Sequence, residues 1–149
     1  MGRERQAASR DEPVLVAPEP GVSEPAAPLD ARLADHLLQS GKLDERGLQR
    51  ARRAAATARG RFVEVLAQLG LVAERDLAEA LSAITGLPLL AREAFPREPI
   101  LADRLSARFL REAVVLPVAA TEEEVVVAMA DPDDRFAVDA IALAARRRV

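Results

Sequence analysis

Cysteine is absent from the 149 residues, which removes disulfides, thiol nucleophiles and cysteine-ligated zinc together. Tryptophan and tyrosine are absent too, and phenylalanine occurs four times. The core must therefore come from Leu, Val, Ile and Ala, small side chains that pack closely but bury modest area each. Histidine occurs once, at His36, too few for an HExxH or multi-histidine metal site. No apolar run approaches the roughly 18 residues of a membrane-spanning helix. The opening Met1-Gly2-Arg3-Glu4-Arg5-Gln6 has no apolar stretch of the kind a secretory leader needs, so a cytoplasmic location is the default expectation.

The usual phosphate-binding signatures are missing as well. Lys42 follows Gly41, but no hydroxyl residue follows the lysine and no GxGxxG occurs. ATP hydrolysis by this stretch alone is not expected. A serine nucleophile would have only His36 as a base. No convergent set of nucleophile, base and orienting group is present, which argues against a free-standing metabolic enzyme.

Hydrophobic residues make up 50% and charged residues 30% of the chain, a composition that suits a globular domain. The net charge is -3, and the first 30 residues account for all of it, with three arginines against six acids. Residues 31–149 hold 18 of each sign. That balance gives no electrostatic case for nucleic-acid binding.

What is there is a repeat with a spacing of 29 residues. Leu37-Leu38-Gln39-Ser40-Gly41-Lys42-Leu43 recurs as Leu66-Ala67-Gln68-Leu69-Gly70-Leu71-Val72. The match extends outward through Arg32 and Arg61, Leu33 and Phe62, Glu45 and Glu74, Leu48 and Leu77, and Ala51 and Ala80. Each copy reads as helix, glycine stop, turn, helix. A helix pair of this kind needs a neighbour to cover its apolar face. Asp30 is the expected cap of the first helix and Asp44 of the second, while Ala73 stands where the second copy would repeat Asp44. Gly41, Gly60, Gly70 and Gly86 are the expected stops, since glycine takes the left-handed dihedrals of a helix end.

Residues 1–28 hold five of the ten prolines and read as a disordered tail, with a strand-like role for Pro13 to Val16 on binding as an alternative. Residues 29–86 form the helical repeat module, and 87–100 a linker in which Pro88, Pro96 and Pro99 argue against a long helix or central strand. Residues 101–149 change period. Ser106 is expected to cap a short helix, Val114–Val118 to form a strand with Pro117 near its end, and Val125–Ala130 a second, central strand. Asp131-Pro132-Asp133-Asp134 reads as a helix start with Asp131 as cap and Pro132 at the first helical position. Phe136, Ala137, Ala140, Ile141 and Ala144 would then share the buried face. Two strands make a poor sheet, so a further strand is expected to begin near Arg146–Val149, leaving the subdomain unfinished. The expected fold class is α+β: two repeated helix pairs, then a small α/β subdomain incomplete at its C-terminus.

The candidate functional residues are few. His36 sits beside an apolar stripe and is read as structural. Asp131, Asp133 and Asp134 offer carboxylates, but no ligands follow at calcium-loop spacing, so no metal is assigned. Arg146, Arg147 and Arg148 suit either a solvated helix end or an anionic surface. Arg32 and Arg61 open the two repeat units at equivalent places and are either structural equivalents or the two halves of one ligand contact.

Taken together, the doubled unit and the segment Phe109-Leu110-Arg111-Glu112-Ala113-Val114-Val115-Leu116-Pro117-Val118, followed by Val127-Ala128-Met129-Ala130-Asp131-Pro132, resemble the N-terminal region of type II secretion and type IV pilus assembly ATPases. The resemblance covers residues 29–149. It implies a non-catalytic adaptor that docks a motor to the cytoplasmic domain of an inner-membrane platform protein, of the general secretion pathway protein L type. It further implies ATP and magnesium in ATPase domains beyond this stretch, no cofactor within it, and contact with the membrane only through the partner. Some relatives in this family bind cyclic di-GMP through two Arg-Leu-Gly units. Here those units read Arg32-Leu33-Ala34 and Arg61-Phe62-Val63, with Ala55 and Ile84 in place of the closing glutamines. The lost glycines put side-chain bulk where a ligand would approach the backbone. Cyclic di-GMP regulation is therefore the alternative reading, with Arg32 and Arg61 as its candidate phosphate ligands.

Overall fold

The computed structural model describes residues 27–58 and 60–149. In order these form α1 (Leu29–Gln39), α2 (Glu45–Ala58), α3 (Phe62–Gln68), α4 (Glu74–Thr85), a single 3-10 turn (Arg92–Ala94), α5 (Ala107–Glu112), β1 (Val115–Ala120), β2 (Val125–Met129) and α6 (Arg135–Ala145). The class is α+β. The expected strand-like role for Pro13 to Val16, and nearly all of the expected tail, lie outside the described residues.

The helical module is built from the repeat but paired across it. α1 packs against α4 and α2 against α3, so each copy covers the apolar face of the other. Leu33, Leu37 and Leu66 are fully buried at the centre, with Leu48, Leu77 and Leu81 around them. The turn that makes this crossing feasible is the same in both copies. Gly41 and Gly70 have φ of 68° and 60°, and the next residue's amide donates back to the preceding helix, Lys42 N to Leu37 O at 2.9 Å and Leu71 N to Leu66 O at 3.1 Å. Six-to-one closure with a left-handed residue satisfies carbonyls that the helix end would leave open.

Of the two acidic caps expected in the helical module, one differs. α1 begins at Leu29 behind Pro28, with no side-chain cap, and Asp30 lies inside the first turn. Pro28 displaces the expected Asp30 because its fixed φ suits a helix entry. Asp44 does cap α2, accepting from Gly47 N at 2.7 Å. Gly47 packs tightly there: a Cβ would lie 2.8 Å from the end of the Leu43 side chain and 2.9 Å from the Asp44 carboxylate, so a larger residue would have to displace those side chains. α4 has no side-chain cap at Ala73.

Within residues 87–100 the only regular element is the 3-10 turn at Arg92–Ala94. The α/β unit has its own core of Leu105, Val115, Val125, Ala137, Ile141 and Ala145. Ser106 caps α5, accepting from Phe109 N at 3.1 Å. β1 and β2 pair antiparallel, with an irregularity between Pro117 and Ala119. Pro117 therefore sits mid-strand rather than near its end, tolerated because the ladder is already broken beside it. α6 starts later than expected. Its cap is Asp134, which accepts from Ala137 N at 3.0 Å, while Asp131 accepts from Asp133 N at 2.9 Å and closes the turn before the helix. The buried face of α6 also differs from the expected one. Ala137, Ile141 and Ala145 face inward, whereas Phe136 is 78% exposed and Leu143 81%, against the expectation that Phe136 and Ala144 lie in the core. After α6 the chain returns beside β2: Val125 N donates to Arg148 O at 2.7 Å and Arg148 N to Glu123 O at 2.9 Å, a parallel bridge. The Arg104 guanidinium donates to Ala145 O at 3.2 Å, closing the C-terminal end of α6. Among the described residues no helix is long and apolar enough to cross a membrane.

Candidate functional site

The two repeat-equivalent arginines sit at the amino ends of α1 and α3, but they do different work. Arg32 reaches across the seam and donates to the carbonyl of Ile84, in the last turn of α4. A cation on an open carbonyl at a helix C-terminus meets both the hydrogen bond and the dipole that the end presents. By the symmetry of the repeat Arg61 would reach Ala55. Instead it leaves the module. Its Nη2 lies 2.7 Å from Asp131 Oδ2, and its Nη1 pairs with Asp134 Oδ2.

Each of those carboxylates is also held by a backbone amide of its own turn. Asp131 uses Oδ1 to accept from Asp133 N, and Asp134 uses Oδ1 to cap α6. The remaining oxygens point the same way and receive the two ends of one guanidinium. Arginine suits this because its planar fork matches paired acceptors and stays charged. Asp131 is only 9% exposed, the sole charged residue in the buried class among the described residues. The clasp thus satisfies a desolvated charge, and it joins two units whose apolar cores share no residue.

Asp30 stands close to this group. Burial pushes its carboxyl above the usual range, the neighbouring charges of Asp131 and Asp133 push it further, and Arg61 opposes them. Asp30, Arg52, Ala55, Gly60, Arg61 and Phe62 line an open cleft at this end of the module. Arg32 is not among the residues that line it. Elsewhere Lys42 from the first copy meets Asp76 of the second at 2.9 Å, which raises the lysine's pKa through the hydrogen bond and the charge of Asp76.

His36 lies in the last turn of α1. Arg146 ends α6 in a left-handed conformation with φ of 55°. Arg148 faces Glu123 at 3.8 Å with both side chains exposed. The acids Asp131 and Asp134 serve the arginine clasp, and no group of three or more His, Cys, Asp or Glu residues able to hold a metal occurs among the described residues. Sequence reasoning isolated Arg61 on one hand and Asp131 and Asp134 on the other. It did not join them, since 70 positions separate Arg61 from Asp131 and nothing in local spacing connects them.

The comparisons with known proteins agree on one relationship. Residues 85–149 match the MshEN domain. The chain is 35% identical over 119 residues to type II secretion system protein E of Xanthomonas campestris pv. campestris, an alignment covering 77% of this chain and 21% of that protein. It thus spans about a fifth of that relative's length. The solved N-terminal domain of XpsE superposes with a TM-score of 0.70 at 31% identity, covering 82% of this chain and 84% of that one. MshE solved with cdg superposes with a TM-score of 0.53 at 27% identity, covering 76% and 81%. With its doubled helical module, two-stranded sheet and Asp131-Pro132 turn, the chain belongs to the family of N-terminal domains of type II secretion system protein E.

Proposed function

We propose that this chain is a non-catalytic adaptor that docks a secretion ATPase to the cytoplasmic domain of an inner-membrane platform protein of the general secretion pathway protein L type. The observation that carries this reading is the match to an isolated N-terminal domain of XpsE over 84% of that domain's length. Two small cores tied by one ionic clasp suit a part that transmits position rather than one that builds a reaction site. Under this reading ATP and magnesium bind to motor domains elsewhere in the parent protein. The chain itself stays in the cytoplasm and meets the membrane through its partner. The test is co-elution of the purified 149-residue chain with the platform protein's cytoplasmic domain. A stable complex supports the adaptor role. Separate elution, under conditions where a full-length relative co-elutes with the same domain, removes it.

A second reading, regulation by cyclic di-GMP, draws support from the likeness to MshE with cdg. Against it stand the occupied arginines: Arg32 is bonded to Ile84 O, and Arg61 to Asp131 and Asp134. Binding through both arginines requires those contacts to break. Titration calorimetry with cyclic di-GMP decides the matter, and absence of heat at saturating ligand eliminates the reading.

A further inference from the structure

The balanced charge of the body hides a local separation of charge on α2. The inner face of this helix, Gly47, Leu48 and Ala51, is buried. On the outer face Arg46, Arg50 and Arg53 are exposed at positions i, i+4 and i+7, which places them in one row on a helix. None of the three is in an ion pair among the described residues. Like charges at this spacing work against the helix, so the row adds no electrostatic support to α2.

The sister helix supplies an internal control. The equivalent positions in α4 are Arg75, Glu79 and Ser82, and there Arg75 Nε meets Glu79 Oε1 at 2.9 Å. One copy of the duplicated unit neutralises this face and the other leaves three cations open. Beside the row, Arg50, Arg53, Ala54 and Thr57 form a shallow groove with Leu69, which is 42% exposed. The exposed stripe of α6 gives no such selectivity, because Arg135 and Arg146 share that surface with Asp139.

We infer that the α2 row is the docking face for the platform protein, and that it fits an acidic protein surface: carboxylates paired with Arg46, Arg50 and Arg53, and an apolar side chain seated on Ala54 and Leu69. This rests on the adaptor reading and specifies the surface that performs it. A nucleic-acid backbone fits less well. The row spans only about 10 Å at the helical rise, and the apolar seat next to it has no counterpart in a phosphate track. Charge complementarity of this kind governs encounter and salt dependence as well as affinity.

The test is calorimetric titration of the 149-residue chain against the purified cytoplasmic domain of the platform protein at several salt concentrations. Wild type is expected to bind with affinity that falls as salt rises. The R50E/R53E variant is expected to bind at least about thirtyfold more weakly and with a flatter salt dependence, consistent with loss of a close charge pair. R50K should retain most of the affinity, and R75E on α4 should change it less than about threefold. Circular dichroism reads helix content in each variant, and R50A/R53A supplies the uncharged comparison should the reversal disturb α2. If wild type binds and R50E/R53E binds equally well, this inference is overturned while the adaptor role stands. If wild type fails to bind, both fall. Binding of a duplex oligonucleotide through the same arginines, without binding of the protein domain, also overturns it.

Discussion

The first and second copies of the helical unit have nearly the same apolar skeleton and different polar surfaces. Leu33, Leu37 and Leu48 in the first are matched by Phe62, Leu66 and Leu77 in the second, and all are buried. Outside the seam the equivalence ends. Asp44 caps α2 while Ala73 leaves α4 uncapped. Arg32 stays within the module while Arg61 crosses to the α/β unit. Arg46 and Arg50 stand open where Arg75 and Glu79 pair. The lesson is that burial holds the scaffold of a duplication constant, because each half is the other's core, while exposed positions are free to take separate roles.

The largest effect should come from the shared seam. Leu66→Ala removes a fully buried side chain from the centre of the module and should cost about 2–5 kcal/mol, measured by urea denaturation. Ile141→Ala in the separate α/β core should cost a similar amount, yet leave the amide protection of α1 to α4 in place. Loss of protection throughout both units in either variant would show that the cores are not separate.

Next in size is the divergence of the two arginines. Arg61→Ala leaves Asp131 and Asp134 without their cation and should cost about 1.5–3 kcal/mol, the range for hydrogen bonds to charged groups. Arg32→Ala loses one charge-assisted bond to a carbonyl and strands no carboxylate, so it should cost less, about 1.5 kcal/mol at the lower end of that range. Equal losses from the two substitutions would erase the distinction drawn between them.

The capping difference can be inverted. Asp44→Ala should destabilise by about 1 kcal/mol. Ala73→Asp, which gives α4 the cap its sister has, should recover a part of that. Thermal denaturation of the single and double variants reads both effects, and a destabilising Ala73→Asp would mean that the second turn cannot take the geometry of the first.

The smallest effect concerns Asp30, whose carboxyl is held above its ordinary range by burial and then by Asp131 and Asp133. Folding therefore favours its protonated form. That contribution is present in full below about pH 3.9, the unfolded value, and is lost as pH rises through the folded value. Asp30→Asn should raise the melting temperature slightly at pH 7, with the gain shrinking as pH falls toward 4. A loss at pH 7 would show that the helix dipole of α1, which favours the charged form, outweighs the neighbouring acids.

Much of this molecule is written locally. The 29-residue spacing, the left-handed glycines at 41 and 70, the Asp44 and Ser106 caps and the α+β class all follow from short-range pattern. Periodicity fixes the spacing of a face but not its phase. Hence the spacing of Phe136, Ala137, Ala140 and Ile141 predicts a shared face, but Ala137, Ile141 and Ala145 are the residues turned to the core and Phe136 lies outward. Each carboxylate of the Asp131–Asp134 turn is a cap candidate by residue type; Asp134 caps α6, while Asp131 closes the turn before it. The partners of Arg32 and Arg61 are 52 and 70 or more positions away, beyond the reach of spacing rules. The α2 row was present in the sequence too, but a whole-body charge count averages it away.

Among the described residues the ion pairs between the two units are those of Arg61 with Asp131 and Asp134, and a distance measurement tests most directly whether that guanidinium holds the two cores together. The chain has no cysteine, so single cysteines placed at exposed Arg50 and exposed Glu122 can carry a spin-label pair spanning the two units. The account predicts a narrow distance distribution in the otherwise native chain and a broad one in Arg61→Ala, with α1–α4 and α6 retaining their amide protection. An unchanged narrow distribution in Arg61→Ala would contradict it.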